Sequence, residues 1–282
     1  MTTAVLNPVL VEARQKVQEI VDFIRSRTSA TPEVAIILGS GLGELADEVS
    51  NRVVIPYKDI PHFPISTAPA HAGNLVVGTL AGRTVILQQG RFHSYEGYSA
   101  KEITLPVQVF RALGVGTLVV SAATGGLNKH FKAGDLMMIT DHLNLTGMNP
   151  LIGPNDPEIG ARFPVMFDAY SRTLRDKAEA IALREGITLR QGVYAGINGP
   201  VFFTPAELRM LITLGADSIG MSTVHETIAA VHGGMQVLGL TAVTDMAIPD
   251  SGHHSNEQEI LATAAQMGPR FRRLVTAVVA SL

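Results

Sequence analysis

Apolar residues come along this 282-residue chain in short unbroken runs separated by longer amphipathic stretches. The runs are "VAIIL" (34–38), "NLVVGTL" (74–80), "TVILQ" (84–88), "TLVVSA" (117–122), "LMMIT" (136–140) and "MQVLGLTAV" (235–243). They are apolar at both alternating positions, as strands covered on both sides of a sheet tend to be. Between several of them the spacing turns helical. Val17, Ile20, Val21 and Ile24 share a face, and "PAELRMLITLG" (205–215) opens on a proline suited to a first turn and closes on glycine. The last segment, 257–282, keeps helical spacing through Leu274, Val278 and Leu282, with a kink or break expected at Gly268-Pro269. Strands alternating with helices, without internal repeats, predict one α/β domain over 1–282 with a largely parallel central sheet.

One long stretch escapes both periods. "GMNPLIGPNDPEIGARFP" (147–164) is dense in Gly, Pro, Asn and Asp, yet Ile152, Ile159 and Phe163 give it apolar anchors. A loop of this length in a compact domain is usually functional or lies at an interface.

Composition narrows the classes of function. Lys and Arg total 22 against 25 acidic residues, a net charge of -3, which argues against an electrostatic nucleic-acid footprint. Any anion must therefore be caught by a local site. There is no cysteine, which excludes disulfides, thiolate metal sites and cysteine nucleophiles. The N-terminus lacks a basic region followed by a long apolar stretch, and no apolar run approaches the ~20 residues of a membrane span, so a cytoplasmic protein is expected.

Glycine-rich "GSGLG" (39–43) follows the first apolar run, and such turns let backbone N–H groups approach an anion. It fits neither standard nucleotide loop. A dinucleotide fingerprint would need a third glycine where Glu44 stands, and a P-loop would need a following lysine. What remains is a hydroxyl, Ser40, presented at a turn. In "GRFHSYEGY" (90–98), Arg91 offers a rigid fork of donors for phosphate or carboxylate. His93 falls on the same side of an extended chain, and Glu96 can orient it. In "GADSIGMSTVHET" (215–227), Ser222 and Thr223 sit at an expected helix N-cap, another anion site. "SAATGGLN" (121–128) reads as a small-residue turn at a strand's carboxyl end, where open α/β sheets bind ligands. His71 lies in the small-residue context "HAGN" (71–74). The nine histidines include no H-E-x-x-H, adjacent His253 and His254 cannot share a helix face, and G-x-S-x-G is absent, so neither a metal site nor a serine hydrolase is expected.

Taken in order, "ILGSGLG", "HAGNLVVG", "GRFHSYEGY", "GGLN", "GPNDPEIGARFP", "GVYAGINGPVFFTPAE" and "GADSIGMSTVHE" strongly resemble the trimeric purine nucleoside phosphorylases. The resemblance covers nearly the whole chain. It implies a mixed, mostly parallel sheet curled into a distorted barrel and flanked by helices. The implied reaction is cleavage of the glycosidic bond of purine nucleosides by inorganic phosphate, a co-substrate, with no metal or organic cofactor. By matching positions, Ser40, Arg91, His93, the backbone of Ala123 and Ser222 hold phosphate. His71 assists on the phosphate and ribose side. Tyr95, Tyr194 and Met221 line the sugar, and Phe202 packs on the base. Phe163 matches an aromatic that reaches the neighbouring subunit's sugar pocket, implying a homotrimer.

Two base-pocket positions depart from the pattern of the 6-oxopurine enzymes. Phe203 stands where a glutamate usually accepts from purine N1–H, and Asp245 stands where asparagine is usual. Adenine carries an acceptor at N1 and an amino group at position 6, so a shift toward 6-aminopurine nucleosides is expected, with Asp245 accepting from that amino group or, protonated, donating to N7. Ala122 replaces a common asparagine. Glu257 stands where a histidine contacts the sugar 5′-hydroxyl, with His253 and His254 nearby, which keeps 5′-methylthioadenosine phosphorylase open as an alternative. A purine-sensing binder or a nucleoside hydrolase is the alternative from another class.

Overall fold

The computed structural model describes residues 7–250 and 256–282. Among the described residues nine strands form one sheet: β1 (Val34–Leu38), β2 (Ser50–Pro56), β3 (Asn74–Leu80), β4 (Arg83–Gln89), β5 (Thr117–Gly126), β6 (Leu136–Asn144), β7 (Leu189–Gly196), β8 (Ser218–Gly220) and β9 (Gln236–Met246). Their order is β2-β3-β4-β1-β5-β8-β7-β6-β9, and a further parallel pairing of β5 with β9 closes the last five into a barrel. The sheet is mixed. β1 runs parallel to β4 and β5, and β7 runs parallel to β6 and β8. The β2-β3-β4 extension and the β5–β8 and β6–β9 contacts are antiparallel.

Six α-helices among the described residues accompany the strands: α1 (Pro8–Arg27), α2 (Ala100–Ala112), α3 (Arg172–Arg184), α4 (Pro205–Thr213), α5 (Val224–His232) and α6 (Glu257–Ala280). The strand β1 shows how they cover the sheet. Ala35 and Ile37 enter a core with Ile20, Val21 and Ile24 of α1, Phe110 of α2 and Ile228 of α5. Val34, Ile36 and Leu38 enter another, with Leu174 of α3 and Phe271, Leu274 and Val278 of α6. A run that is apolar at every position is what a strand packed on both faces requires.

Each apolar run in the sequence is a strand, and several extend further than expected. β5 continues through Gly125 and Gly126, so "SAATGG" is strand and the small residues are not yet a turn. These glycines pair with β8 and β9 together, and Met246 and Val243 side chains approach Gly126 too closely for a Cβ. α6 passes through Gly268-Pro269 without a break. Met267, Phe271, Leu274 and Val275 are buried on either side of the proline, and that packing outweighs one lost backbone hydrogen bond. The stretch 147–164 carries neither helix nor strand. Among the described residues, no helix is long and apolar enough to cross a membrane.

Candidate active site

At the carboxyl ends of β1, β4, β5 and β9 lies a cavity of about 580 Å³. One end is polar, with Ser40, Arg91, His93 and Ser222 in its wall, and the other is apolar, with Phe203, Leu208 and Ile219. Ser40 follows β1 in a turn that leads into a short 3-10 helix, Gly43–Glu48. Gly39 allows this turn to lie on β5, since a Cβ there would come 2.8 Å from the Ala122 Cα. The Gly39 amide donates to Ser121 Oγ at 3.1 Å, which ties the loop to the neighbouring strand.

Arg91 is 1% exposed and is held from several directions. Its Nη1 donates to the Ser121 carbonyl at 2.5 Å and to Ser222 Oγ at 2.9 Å. Its Nε lies 3.0 Å from Glu226 Oε1, another buried side chain, on the first turn of α5. Nη2 is buried without a hydrogen-bond partner, so an anion in the polar end would satisfy a donor that is otherwise costly to bury. Ser222 and Thr223 do not cap α5 with their hydroxyls, contrary to expectation. Thr223 takes φ 65°, a strained value for a β-branched residue, and the Ser222 hydroxyl is turned to Arg91.

The two histidines are each held in a fixed orientation. His71 Nδ1 lies 3.1 Å from the Arg91 amide, from the Arg91 carbonyl oxygen and from Ser66 Oγ, and its Nε2 lies 3.2 Å from Ser40 Oγ. A neutral ring bonds the Ser40 hydroxyl through Nε2 in either tautomer, donating to it or accepting from it. Burial, followed by the nearby His93, lowers the His71 pKa to about 4, which favours this neutral ring. His93 Nδ1 and the His93 amide both meet Glu96 Oε1, at 3.0 and 2.9 Å. Burial also lowers the His93 pKa, against the raising effect of Glu96. For Glu96 burial opposes the charge, but hydrogen bonds from His93 and from the Thr67 hydroxyl and amide outweigh it and bring its pKa to about 2. The His93 ring stacks between His71 and Tyr95, with centroids 5.3 and 4.6 Å away.

A model of the phosphorylase superfamily matches residues 33–280. Purine nucleoside phosphorylase 1 of Geobacillus stearothermophilus is 47% identical, over 95% of this chain and 98% of its own. The chain belongs to the purine nucleoside phosphorylase family of this superfamily. A Schistosoma mansoni purine nucleoside phosphorylase in complex with adenosine superposes with a TM-score of 0.91 at 43% identity, covering 95% of this chain and 97% of that one. A Schistosoma mansoni purine nucleoside phosphorylase in complex with inosine gives a TM-score of 0.91 at 41% identity, covering 95% of this chain and 96% of that one.

Within this phosphorylase fold, Ser40, Arg91, His93, Tyr95, Ala123, Phe202, Phe203, Met221, Ser222 and Asp245 all line the one cavity. His71 and Glu96 stand behind it, bonded to Ser40 and His93. Tyr194 does not line it. Its ring is fully buried in the barrel and its hydroxyl accepts from the Ser222 amide at 3.1 Å, so it supports the wall from behind. Phe163 is 84% exposed and lies outside the cavity of its own chain. Asp245 follows the long β9 to the cavity, where Thr244 Oγ1 donates to it at 3.2 Å. Glu257, at the start of α6, lines the cavity. Burial above all, then Glu96 and to a smaller extent Glu257, raises the Tyr95 phenol to about 12. His253 and His254 lie outside the described residues. Among the described residues no three His, Asp or Glu side chains gather to hold a metal ion.

Sequence reasoning missed Glu226 and Ser121, which hold Arg91 in place. Glu226 carries a readable sign, because it lies four residues after Ser222, one helical turn away. Ser121 carries none, being a small residue inside an apolar strand.

Proposed function

We propose that this purine nucleoside phosphorylase works from the polar end of its cavity, where phosphate is bound, toward the apolar end, where the purine is bound. The observation that carries the assignment is Arg91: a buried guanidinium, fixed by Glu226, Ser121 and Ser222, with Nη2 unbonded, in the wall of the cavity that Ser40 and His93 also line. Phosphate is a weak nucleophile toward the sugar carbon. Held there, it stabilises an oxocarbenium-like sugar by charge, and its fixed position removes the entropy of encounter. His93, with Nδ1–H on Glu96, keeps an Nε2 lone pair that can accept a hydrogen bond from a phosphate hydroxyl. His71 orients Ser40, the Ala123 backbone borders the phosphate, and Tyr95 and Met221 flank the sugar between the two ends. The C1′–N9 bond breaks, a phosphate oxygen bonds to C1′, and the electron pair leaves with the base. The products are free purine and α-ribose 1-phosphate, and the reading calls for no cofactor.

Phe202 and Phe203 border the base, and Asp245 is its polar partner. A carboxylate accepts from a 6-amino group and repels a 6-oxo group, so we assign a preference for 6-aminopurine nucleosides. We also read residues 1–282 as one catalytic domain and the assembly as a homotrimer. Exposed Phe163, with Val165 and Phe167 also exposed, supports an apolar surface that a second copy covers, placing Phe163 at its neighbour's sugar. Adenosine and inosine assayed with and without phosphate test the reading. Phosphate-dependent turnover favouring adenosine is expected, with Asp245→Asn shifting the ratio toward inosine. Base release that is indifferent to phosphate would overturn the reaction, and a large inosine preference would overturn the base assignment.

A further inference from the structure

The apolar end of the cavity is built almost without polar side chains. Ile197, Phe203, Leu208, Ile219 and Ala247 present only carbon to it, and Phe203 and Ala247 pack against the cluster formed by Ile197, Leu208 and Ile219. Asp245 marks its inner boundary, since a Cβ placed on Gly125 would meet Ala247, Ile219 and the Asp245 carboxylate within 4 Å. The outer lip is open to solvent. Phe202 is 66% exposed there, and Pro200 and Pro205 are exposed beside it. A base bound with its polar edge on Asp245 therefore faces carbon on one side and an apolar exit on the other.

We propose that the enzyme accepts purine nucleosides carrying an alkyl chain on the six-position substituent, as an alkylamino or alkylthio group, and takes them in preference to the unsubstituted parents. The proposal rests on the base occupying the Phe203 end, as assigned above. The alkyl group lies along Phe203, Leu208 and Ile219 and leaves past Phe202. It takes no part in the reaction: the C1′–N9 bond still breaks and the phosphate C–O bond still forms. Each methylene that loses water against this wall improves binding by up to about fourfold. An alkylamino nitrogen keeps one N–H for Asp245, whereas an alkylthio group has none, so the two series separate the wall from the carboxylate.

The experiment measures kcat/KM at saturating phosphate for N6-butyladenosine against adenosine and for 6-(butylthio)purine riboside against purine riboside. Ratios above one, reaching about tenfold, are expected, and Phe203→Glu should bring both below one. Ratios below one in the unmodified enzyme overturn the proposal. The thio series contains neither a 6-oxo nor a 6-amino group, so it reads the wall even if inosine proves the better natural substrate. Calorimetric titration with free 6-(butylthio)purine and free purine gives the same comparison without turnover or a variant. Tighter binding of the alkylated base supports the proposal, and weaker binding refutes it.

Discussion

Glu226→Gln isolates the buried pair on which the arrangement of Arg91 depends. The substitution keeps the side-chain shape and removes its charge, and Arg91, 1% exposed, cannot regain water in compensation. Removing one partner of a buried ion pair costs about 3–5 kcal/mol. Nη1 keeps its bonds to Ser121 and Ser222, which places the expected cost near the lower end, about 3 kcal/mol. With an unfolding entropy of about 2.1 cal/mol/K per residue, a 282-residue chain loses roughly 5 °C in Tm for that cost. Thermal unfolding followed over a series of phosphate concentrations measures it. The carboxylate lies 3.0 Å from Arg91 Nε and competes with any anion for the guanidinium. Phosphate should therefore bind the variant more tightly than wild type, and the deficit in Tm should narrow as phosphate rises. kcat should fall, because Arg91 loses the partner that aims it. A deficit under about 1 °C, or one that phosphate leaves unchanged, would refute the account of Arg91.

Two further outcomes follow from the same side chains. Ser40→Ala removes a hydroxyl that lies at the polar end on the His71 ring, so the KM for phosphate should rise about 10- to 100-fold, the worth of a hydrogen bond to a charged group, while the nucleoside KM changes less; equal losses in both would give the loop another role. His71 and Glu96 both bind fewer protons folded than unfolded: burial, then His93, lowers His71 from 6.5 to about 4, and hydrogen bonds that outweigh burial lower Glu96 from 4.5 to about 2. Their stabilisation should be present at neutral pH and lost on acidification, from about pH 6.5 to 4 for His71 and from about pH 4.5 to 2 for Glu96. Denaturant unfolding at stepped pH checks this, and His71→Asn should flatten the upper window.

The parts of the fold that were legible in the chain are those where one periodicity dominates. β1, β3 and β4 are unbroken apolar runs because both of their faces are covered, and α4 shows its start in the Thr204–Glu207 capping box and its end in Gly215. β7 was missed because "LRQGVYAG" mixes polar and small residues, as a barrel strand with unlike neighbours on its two sides can. β8 is three residues long, too short to show any period. The uninterrupted course of α6 reverses a local rule, since Pro269 weakens the helix by itself but the buried face on either side holds it.

The sequence alone determined the chemical inventory: a glycine-bounded Ser40, the Arg91-His93-Glu96 group, Ser222, Phe203 and Asp245. These are local facts, written in residue type and short spacing. Tertiary structure decided which groups meet. Closure of the barrel by the β5–β9 pairing brings residues near 40, 91, 123, 222 and 245 to one rim, a result of long-range strand register that no short window contains. It also separated contact from support, leaving Tyr194 behind the wall and Glu226 beneath Arg91, because burial is a property of the packed chain and not of any residue in it.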